Sequence, residues 1–496
     1  MFFGMLLFPD IEWFIYVEIV YFIIAILVAI RIIYDTDSIS KTLAYLLLVF
    51  FVPIIGIFFY FSFGINYRRR KMYSKKLKVN DDYNERLMNR MREMHLDYKQ
   101  KGNAIIEKNR SFINMLSNKF MGEGPLLVDN NVEILVNGES FFPRLLEDLK
   151  NAKHHIHIEY YIFENNEIGH EIEDILIQKA KEGVEVRFIY DDFGSRSIRK
   201  NIVRNLRANG VEAFAFNKII WLALANRLNY RNHRKIVVID GTIGYTGGIN
   251  ISDRYDNRKK ESNEFFWRDT QVRIEGTGTY GLQYIFLADW NFCSKQAISF
   301  NKEYFPKFDN KSTGKIPLQV ISSGPDSDVP SILYSVLKAI NTAKDEILIT
   351  TPYYIPDESL QLAIKMAALS GKKVKMILPG ITDSLIVKLA SESYFQELLE
   401  FGVEIYLYKK GFIHAKTFVT DMGITSIGTC NLDHRSFDLN FEVNVILFDE
   451  DIADKMRKVF YDDCKDSVKL ELSHWNKRTK WHRLKNSFIR LFSPLL

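Results

Sequence analysis

The sequence predicts an α/β protein with two similar halves that face each other across a shared active site, preceded by two N-terminal transmembrane helices. Three observations lead to this prediction. A motif of His, Lys, Asp and Asn occurs twice with the same spacing. A similar order of apolar strands and helices precedes each copy. Two apolar runs open the chain, and a run of basic residues follows them.

The first element is a membrane anchor, predicted over residues 1–71. Residues 42–65 are 24 residues without a formal charge, long enough to cross a bilayer as one helix. An earlier apolar run, over about residues 13–34, contains Glu18 and Arg31, whose side chains can reach the interface if the segment also spans. No basic stretch precedes the first run and no clear cleavage site follows it. We therefore expect both segments to be retained rather than removed as a signal peptide.

Basic residues are concentrated after the second apolar run. They are Arg68, Arg69, Arg70, Lys71, Lys75, Lys76 and Lys78. The connection between the two runs offers mainly Lys41. Because positively charged loops stay on the cytoplasmic side, this asymmetry predicts a multi-pass protein of the cell membrane whose α/β region faces the cytoplasm. The basic run would also attract anionic headgroups, at about 1 kcal/mol per residue near the surface.

Residues 72–124 form the predicted connector between the anchor and the α/β region. The stretch "YNERLMNRMREMHLDYKQ" is rich in charge and in methionine. This pattern is typical of an exposed helix, and we find no candidate catalytic residue in it.

Composition favours a large folded enzyme. The chain has 496 residues, of which 47% are apolar, enough for an extensive core. A net charge of +5 is small for this length and gives no reason to expect nucleic-acid binding. The three cysteines Cys293, Cys430 and Cys464 are an odd and widely spaced set, which argues against a disulfide framework and favours reduced, buried thiols.

The two halves are predicted over residues 125–315 and 316–496. "NAKHHIHIEYYIF" near residue 151 is similar to "TAKDEILITTPYYIP" near residue 342, and each is an apolar strand that follows a helix. Gly183 before "VEVRFIY" corresponds to Gly371 before "KVKMILP". Each half therefore alternates strands and helices before it reaches its copy of the motif.

The repeated motif supplies the candidate active-site residues. Its two copies are His233, Lys235, Asp240, Asn250 and His414, Lys416, Asp421, Asn431. A glycine fourteen residues after each His, Gly247 and Gly428, repeats as well. In a strand, side chains two residues apart share one face, so each His projects together with its Lys. The turn-rich stretch that follows brings the Asn close to the same place.

These residues suit phosphodiester chemistry without a metal or another cofactor. Ammonium and amide groups can bind the non-bridging oxygens of a phosphate, and two imidazoles can divide nucleophilic and acid–base roles. The His, Lys and Asp of both motifs are therefore catalytic candidates, and the two Asn are candidate phosphate ligands. Either copy alone would be an ordinary group of strand residues, and the repeated spacing argues against that interpretation.

Two other groups of residues could be misread as functional. His154, His155 and His157 lie close together, but no neighbouring Cys or carboxylate set completes a metal site, so we interpret them as strand residues. Cys430 precedes Asn431, and we interpret it as a small packing residue. No metal site is expected in this chain.

The first half has additional residues before its motif. Lys153 and His233 are 80 residues apart, whereas Lys344 and His414 are 70 apart. We assign the extra residues to the apolar stretch around 219–224, "IIWLAL". This stretch is either a lip that contacts lipid or acyl chains, or a buried helix.

The end of the chain predicts a basic amphipathic helix. Trp481, Leu484, Phe488 and Leu491 recur at helical spacing. Six basic residues lie between and before them: Lys477, Arg478, Lys480, Arg483, Lys485 and Arg490. Binding to a membrane interface and docking on the folded domain both fit this pattern.

The motifs and their surroundings resemble the phospholipase D superfamily, and bacterial cardiolipin synthases in particular. The likeness covers most of residues 125–496. Besides the motifs it is carried by "AKEGVEVRFIYDDFGS", "FFWRDTQVRIEG", "TPYYIPDESL", "CNLDHRSFDLNFEVN" and "LFSPLL". It implies two phospholipase D-like halves without a metal site. It also implies that Asp269 and Glu442, which follow the two motifs, orient the two imidazoles and set their tautomers.

The resemblance implies a ping-pong phosphatidyl transfer. His233 would attack the phosphorus of one phosphatidylglycerol while His414 protonates the departing glycerol, and a second phosphatidylglycerol would then take the phosphatidyl group to give cardiolipin. Choosing His233 as the nucleophile rests on relatives that use their first motif, since the two copies are nearly symmetrical. The two Lys and two Asn would stabilise phosphoryl charge, and the two motif Asp would brace the strands.

Several alternatives are compatible with the motifs alone. They are a hydrolytic phospholipase D, another phosphatidyltransferase such as phosphatidylserine synthase, a membrane-attached nuclease and a non-catalytic scaffold. Water and a glycerol hydroxyl attack the same intermediate, so residue spacing does not distinguish hydrolysis from transfer. The expected partners are phosphatidylglycerol and the lipid bilayer, without nucleic acid. The sequence does not specify protein partners, the oligomeric state or regulation.

Overall fold

The computed structural model describes residues 11–35, 39–61, 103–118, 121, 124–217, 230–259, 265–296, 298, 302–308, 314–491 and 493. Three of the predicted features lie outside these residues: the basic run 68–78, most of the charged connector, and the apolar stretch 219–224. The described chain separates into an N-terminal helical unit and a larger α/β unit.

The N-terminal unit begins with helix α1 (Ile11–Asp35). Over Tyr16–Asp35 this helix is long and apolar enough to cross a membrane, and it is the only such helix within the described ranges. Arg31 donates a hydrogen bond to Asp35 over 3.0 Å near the end of the helix, which pairs the charge that interrupts the apolar run.

The second apolar run differs from the single continuous helix that was predicted for it. It forms two shorter helices, α2 (Ile39–Phe51) and α3 (Pro53–Phe59). The break at Val52 follows from Pro53, which has no N–H group to continue the helical hydrogen bonds and opens α3 instead. Gly56 lets the two helices pack closely, since a Cβ there would lie 2.3 Å from the carbonyl oxygen of Leu48.

The end of the connector is helical but not exposed along its length. Helices α4 (Ala104–Lys108) and α5 (Arg110–Leu116) bury Ile106, Phe112 and Leu116 in the hydrophobic core of the second half. Asn109, between the helices, donates a hydrogen bond to the backbone carbonyl of Met422 over 3.0 Å. The apolar side chains at helical spacing were thus covered by a distant part of the chain, which charge density alone did not predict.

The first half contains a seven-stranded sheet in the order β1-β8-β6-β5-β2-β3-β4. Its strands are β1 (Asn130–Val136), β2 (His155–Tyr160), β3 (Glu185–Asp191), β4 (Glu212–Phe216), β5 (Lys235–Ile239), β6 (Ile243–Gly247) and β8 (Thr270–Gly276). The short strand β7 (Phe266–Arg268) lies outside this sheet. Its helices are α6 (Asn137–Lys150), α7 (Glu167–Lys181), α8 (Ile202–Ala208) and α9 (Thr279–Ser294).

The second half contains an eight-stranded sheet in the order β19-β13-β12-β10-β15-β16-β18-β9. Its strands are β9 (Leu318–Ser323), β10 (Glu346–Thr350), β12 (Lys373–Pro379), β13 (Glu404–Tyr408), β15 (Thr417–Thr420), β16 (Ile424–Gly428), β18 (Glu442–Phe448) and β19 (Ser467–Lys469). Three short strands lie outside it: β11 (Tyr354–Ile355), β14 (Gly411–Ile413) and β17 (Leu432–Asp433). Its helices are α10 (Ser331–Thr342), α11 (Glu358–Leu369), α12 (Leu385–Glu400), α13 (His434–Asp438), α14 (Glu450–Lys465), α15 (Leu472–Trp475) and α16 (Lys480–Arg490).

The two sheets share one topology. The strand order of the first sheet, β4-β3-β2-β5-β6-β8-β1, corresponds strand for strand to the order β13-β12-β10-β15-β16-β18-β9 in the second. Strand β19 is an additional strand at one edge of the second sheet. The strands that begin at or directly after the motif Lys are β5 and β15. Each pairs antiparallel on both sides, with β2 or β10 on one side and with its hairpin partner β6 or β16 on the other. The prediction of two similar α/β halves is confirmed.

Candidate active site

The two halves exchange short backbone pairings at the positions that precede each motif His. Strand β14 (Gly411–Ile413) runs parallel to β7 (Phe266–Arg268), and the N–H of His414 donates to the carbonyl of Arg268 over 2.7 Å. On the other side Asn232 forms a parallel bridge with Phe441, and the N–H of His233 donates to the Phe441 carbonyl over 3.0 Å. Each motif His therefore lies directly beside the acidic residue of the opposite half.

This pairing gives each imidazole a carboxylate from the other half. Nδ1 of His233 lies 2.9 Å from a carboxylate oxygen of Glu442, and Nδ1 of His414 lies 2.7 Å from Oδ2 of Asp269. All four side chains are buried. With Nδ1 held by a carboxylate, Nε2 is the nitrogen of each ring that is left for another partner.

Other groups hold the two carboxylates in place. Glu442 accepts hydrogen bonds from the hydroxyl of Thr429 over 2.5 Å and from the amide of Asn440 over 3.2 Å. Asp269 accepts the backbone N–H of Thr270 over 2.7 Å. Gly248 makes room for it, because a Cβ at that position would lie 2.1 Å from Oδ1 of Asp269.

The two motif lysines lie beside their histidines and are buried. Nζ of Lys235 donates to the carbonyl of His233 over 3.0 Å. Nζ of Lys416 donates to the carbonyl of His414 over 2.5 Å and lies 3.0 Å from Nε2 of the same residue. Two ammonium groups thus share one enclosed site, which would favour an anion between them.

The two motif asparagines both line the cleft. Asn250 donates from Nδ2 to the hydroxyl of Tyr255 over 2.8 Å, and its Oδ1 accepts the N–H of Ile162 over 3.3 Å. Tyr255 in turn lies 3.3 Å from Nδ1 of His414. Oδ1 of Asn431 is buried without a hydrogen-bond partner among the described residues. The two amides therefore occupy corresponding positions with different neighbours.

The two motif aspartates lie away from the cleft, at the opposite ends of their strands. Asp240 accepts the backbone N–H groups of residues 153–155 over 2.7 to 3.2 Å. Asp421 accepts those of residues 344–346 over 3.1 to 3.4 Å. Each carboxylate thus joins the end of a motif strand to the start of the neighbouring strand. The structure does not bring them to the histidines with which the sequence grouped them as catalytic.

Burial controls the protonation of the site. It lowers the pKa of His233 to about 4, against the opposing charge of Glu442. Burial, together with Lys416 and Lys235, also lowers the pKa of His414 well below its usual value. Burial and the neighbouring ammonium group lower the pKa of Lys235 to about 7, and burial lowers that of Lys416 to about 8. Without a substrate, both imidazoles are neutral at pH 7.

The same burial acts on the carboxylate beside His414. It raises the pKa of Asp269 to about 6, although the nearby lysines oppose the shift. A group that titrates near pH 6 beside a buried imidazole is typical of a functional site.

The cleft between the halves has a volume of about 450 Å³. Several residues that line it were not among the predicted site residues: Tyr161, Arg231, Tyr255, Trp267, Tyr353, Phe412 and Arg435. Arg231 and Phe412 each stand two residues before a motif His, so their side chains share a strand face with it. That spacing was the one available signal for these two residues.

The other residues weighed in the sequence lie outside the cleft. His157 is buried, with Nδ1 close to the amide of Gln283 at 2.8 Å and its ring stacked on Phe286. Burial and the neighbouring histidines lower the pKa of His155 strongly. Cys430 is also buried, and burial raises the pKa of its thiol well above the usual value.

The chain matches known proteins over nearly its full length. A family model described as cardiolipin synthase, phospholipase D-like domain, matches residues 145–273 and again 336–464, and a phospholipase D-nuclease N-terminal model matches residues 23–64. The chain is 40% identical to the major cardiolipin synthase ClsA of Bacillus subtilis over 480 residues, 96% of this chain and 98% of the relative. It is also 40% identical to a cardiolipin synthase of Listeria monocytogenes serotype 4a over 473 residues, 94% and 96% of the two chains.

A solved structure shares the fold. The phosphatidylserine synthase of Haemophilus influenzae Rd KW20 superimposes with a TM-score of 0.56 and 15% identity, covering 76% of this chain and 100% of that chain. At this identity the likeness extends to the fold alone.

Proposed function

The chain belongs to the cardiolipin synthase family of the phospholipase D superfamily, and from this premise we propose that it transfers a phosphatidyl group from one phosphatidylglycerol to another. The products are cardiolipin and glycerol. As a member of this family the chain is a phosphatidyltransferase, with a phospholipid as its substrate. The donor and acceptor lipids, the roles of the residues and the membrane topology are parts of the proposal.

One observation carries the mechanism: the two motif histidines share a cleft, and each is held through Nδ1 by a carboxylate of the other half. A phosphodiester in this cleft would lie between two Nε2 atoms with two ammonium groups beside it. One imidazole can then attack phosphorus while the other serves the oxygen on the opposite side.

In the first step Nε2 of His233 attacks the phosphorus of phosphatidylglycerol. The new P–N bond forms as the bond from phosphorus to the glycerol oxygen breaks, and the imidazolium of His414 gives its proton to that oxygen. His414 is neutral in the free protein because burial and two lysines lower its pKa. The anionic phosphodiester offsets the charge of the lysines, so its binding favours protonation of His414.

In the second step the acceptor completes the transfer. Neutral His414 takes the proton from a terminal hydroxyl of the second phosphatidylglycerol, and the oxygen attacks phosphorus as the P–N bond breaks. The net result is one cardiolipin and one glycerol, with both histidines restored. Lys235, Lys416, Asn250 and Asn431 stabilise the phosphoryl oxygens throughout. Glu442 and Asp269 hold the tautomers, with the carboxylate stabilising each imidazolium as it forms.

The motif aspartates act through structure in this proposal. Asp240 and Asp421 each accept three backbone N–H groups at the start of a neighbouring strand. They hold the motif strands in register and keep the His and Lys side chains aimed at the cleft. We propose residues 125–315 and 316–496 as the two halves that contribute one set each.

We further propose that both apolar runs enter the cell membrane and that the α/β region faces the cytoplasm. The support is the helix Tyr16–Asp35, the two apolar helices that follow it, and the basic run 68–78. Alkaline phosphatase fused after residue 71 should be inactive in cells, and the same enzyme fused at residue 38 should be active. Activity of the fusion at residue 71 would place the α/β region outside.

The reaction is tested by incubating the purified full-length protein in phosphatidylglycerol vesicles and measuring lipids and free glycerol by mass spectrometry. The proposal expects cardiolipin and glycerol in equal amounts. His233→Ala and His414→Ala should produce neither, and both variants should keep the melting temperature of the parent. Phosphatidic acid as the main product would instead identify a hydrolase.

A further inference from the structure

The C-terminal helix α16 (Lys480–Arg490) docks on the second half mainly through polar side chains one turn apart. His482 contacts the carboxylate of Glu392 on α12 over 3.0 Å, and Arg490 lies over the ring of Tyr394 at 4.5 Å. Asn486, between them along the helix, is buried. His482, Asn486 and Arg490 thus lie on the side of the helix that faces the protein, where Ile489 also packs against the core, while Lys480, Arg483 and Lys485 are exposed.

The apolar side of the same helix faces outward. Trp481 is 64% exposed, Leu484 57% and Leu491 74%, and Phe488 is exposed as well. An amphipathic helix on a soluble domain normally turns its apolar stripe towards the core. The reversed orientation leaves a continuous apolar stripe, which typically marks an interaction surface.

Neighbouring helices extend this surface. On α11 (Glu358–Leu369) the residues Leu362, Met366 and Leu369 are exposed at helical spacing, and at the start of α12 (Leu385–Glu400) Leu385 and Ile386 are exposed. The three helices are adjacent, because Glu397 of α12 pairs with Lys365 of α11 over 3.2 Å and with Arg490 of α16 over 4.0 Å. Three adjacent helices of the second half therefore each carry exposed apolar side chains.

The first half has no comparable surface among its described residues. Only Phe193 and Phe265 are exposed large apolar side chains between residues 124 and 308 in the part of the chain that the structure describes. Among the described residues, the exposed apolar side chains are thus concentrated in the second half.

Charge identifies the partner. Five basic residues lie in the first turns of α16 and just before it: Lys477, Arg478, Lys480, Arg483 and Lys485. The ammonium group of Lys485 lies 5.5 Å from the ring of Trp481, so a cation is adjacent to an amphipathic aromatic side chain. Basic residues beside Trp and Leu are the composition of helices that lie at the interface of anionic membranes.

We propose that the exposed faces of α11, α12 and α16 form a surface that rests in the headgroup layer of an anionic bilayer. The proposal goes beyond the reaction and rests on the proposed function in one respect, that the substrate is a bilayer lipid. The surface continues to the cleft: Asp383 and Val387 line the cleft, and the exposed Leu385 and Ile386 lie between them in sequence. A lipid headgroup can then reach the cleft while its acyl chains stay in the membrane.

Tryptophan quenching tests the position of α16 without requiring turnover. Full-length protein is reconstituted in phosphatidylglycerol vesicles with brominated acyl chains, and the quenched emission of the parent is compared with that of Trp481→Phe. We expect the variant to lose a quenched component. Trp475→Phe is the matched control, because Trp475 is buried against Phe395 at 5.5 Å; its removal should leave the quenched component unchanged.

Equal quenching of the parent and Trp481→Phe would overturn the proposal. If the protein also cross-linked to a second copy through this helix, the apolar face would be a dimer interface instead. Because the measurement does not depend on catalysis, its failure would leave the proposed reaction standing. Conversely, quenching of Trp481 in a protein without synthase activity would still support the surface.

A functional measurement extends the test. Leu484→Ser should reduce turnover of phosphatidylglycerol in vesicles roughly tenfold, because a Leu side chain leaves the bilayer. Turnover of a short-chain phosphatidylglycerol dispersed as monomers should be unchanged. Val468→Ser, which removes a similarly exposed apolar side chain from an edge strand of the same half, should leave both rates unchanged. Equal loss in both assays would indicate a folding defect and contradict the interfacial role.

Discussion

The two sides of the cleft carry the same catalytic set but different walls. Around His414 the wall is aromatic, with the rings of Tyr255, Trp267 and Phe412 centred 5.8, 5.9 and 5.8 Å from the imidazole. Beside His233 lies the ring of Tyr161, centred 4.9 Å from the imidazole. The cleft is also lined by Arg231, Arg435 and Asn440, and the Asn440 amide donates to the carboxylate that holds His233.

The difference arises at corresponding positions of the two halves. Two residues before the motif His the first half has Arg231 and the second has Phe412; two residues before the acid the first has Trp267 and the second has Asn440. Because each acid holds the His of the other half, Arg231 and Asn440 are both near His233. Phe412 and Trp267 are both near His414. The two sequence differences therefore make one side of the cleft more polar and the other more aromatic. The duplication thus preserved the reacting groups, while the residues beside them diverged and made the two histidines unequal.

Arg231 is the most informative residue of the polar wall. It is only 3% exposed, its guanidinium lies 4.5 Å from the ring of Phe193, and its Nη1 has no hydrogen-bond partner among the described residues. The nearby carboxylate of Asp191 is occupied by the backbone N–H groups of Phe193, Gly194 and Asn232. A buried guanidinium group with an available donor favours an anionic ligand.

The largest expected effect separates the roles of the two histidines. Both His233→Ala and His414→Ala should lower phosphatidylglycerol turnover by about 10⁴-fold or more. With a nitrophenyl phosphodiester, whose leaving group needs no proton, His414→Ala should still release nitrophenol in a single-turnover burst and His233→Ala should not. Rapid-mixing absorbance measures the burst, and a burst in His233→Ala alone would reverse the assignment.

Removing the carboxylates tests whether each half depends on the other. Glu442→Gln should disturb the tautomer of His233, and Asp269→Asn that of His414, each lowering kcat by about 10²-fold or more. The burst assay distinguishes them, because Glu442→Gln should slow the burst and Asp269→Asn should preserve it. The opposite pattern would show that each acid serves the histidine of its own half.

The pH dependence should reveal the unequal lysines. Burial lowers the pKa of Lys235 to about 7 and that of Lys416 to about 8. Because the charged forms bind phosphate, kcat/KM should fall as the pH rises, first through loss of the Lys235 proton. In Lys235→Arg, which stays charged, the onset of this fall should move to higher pH, towards the value that Lys416 sets. Lys416→Arg should leave the onset in place, and equal shifts in both variants would contradict the inequality.

Substitutions at Arg231 and Phe412, which line the cleft, should have a smaller effect on the kinetics. Arg231→Met should raise the KM for phosphatidylglycerol about tenfold with little change in kcat, since it removes a charge-assisted hydrogen bond to an anion. Phe412→Leu, the matched change on the aromatic side, should alter KM by about threefold or less because apolar contact is retained. Steady-state kinetics in mixed micelles compares the two, and equal effects would mean that the polar wall does not contact the lipid phosphate.

The smallest effect on catalysis is expected where the halves are alike. Asp240→Asn and Asp421→Asn should each lower the free energy of unfolding by about 2 kcal/mol, because an amide replaces a carboxylate that accepts three N–H groups. Denaturant titration followed by circular dichroism measures the loss, and the KM of the folded variants should change little. A large loss of kcat in a fully folded variant would indicate that Asp240 or Asp421 takes part in catalysis.

Local patterns were sufficient for much of the fold. Alternating apolar residues located the strands that carry His233 and His414, and the repeated order of elements indicated two matching sheets, which the shared strand order confirms. The same patterns were less reliable where one residue interrupts them. Pro53 divides the second apolar run into two helices, because a missing N–H outweighs the hydrophobic pattern around it.

The sequence predicted which residues form the candidate site, but it did not predict how they are arranged in space. Asp269 and Glu442 were singled out as orienting residues, yet their partners lie 145 and 209 residues away in the chain. Arg231 and Phe412 were not singled out, because a residue beside a motif has no distinctive pattern until the facing half shows where the cleft is.

By itself, the sequence determined the reacting groups, the strands that present them and the apolar face of the last helix. All of these follow from spacing along one segment. The tertiary structure decided which carboxylate serves which histidine, which wall surrounds each of them, and that α16 docks with its apolar side outward. These features depend on how distant segments pack against each other. Contacts between the halves are determined by the shape and burial of whole surfaces, and the spacing of residues within one segment does not specify them.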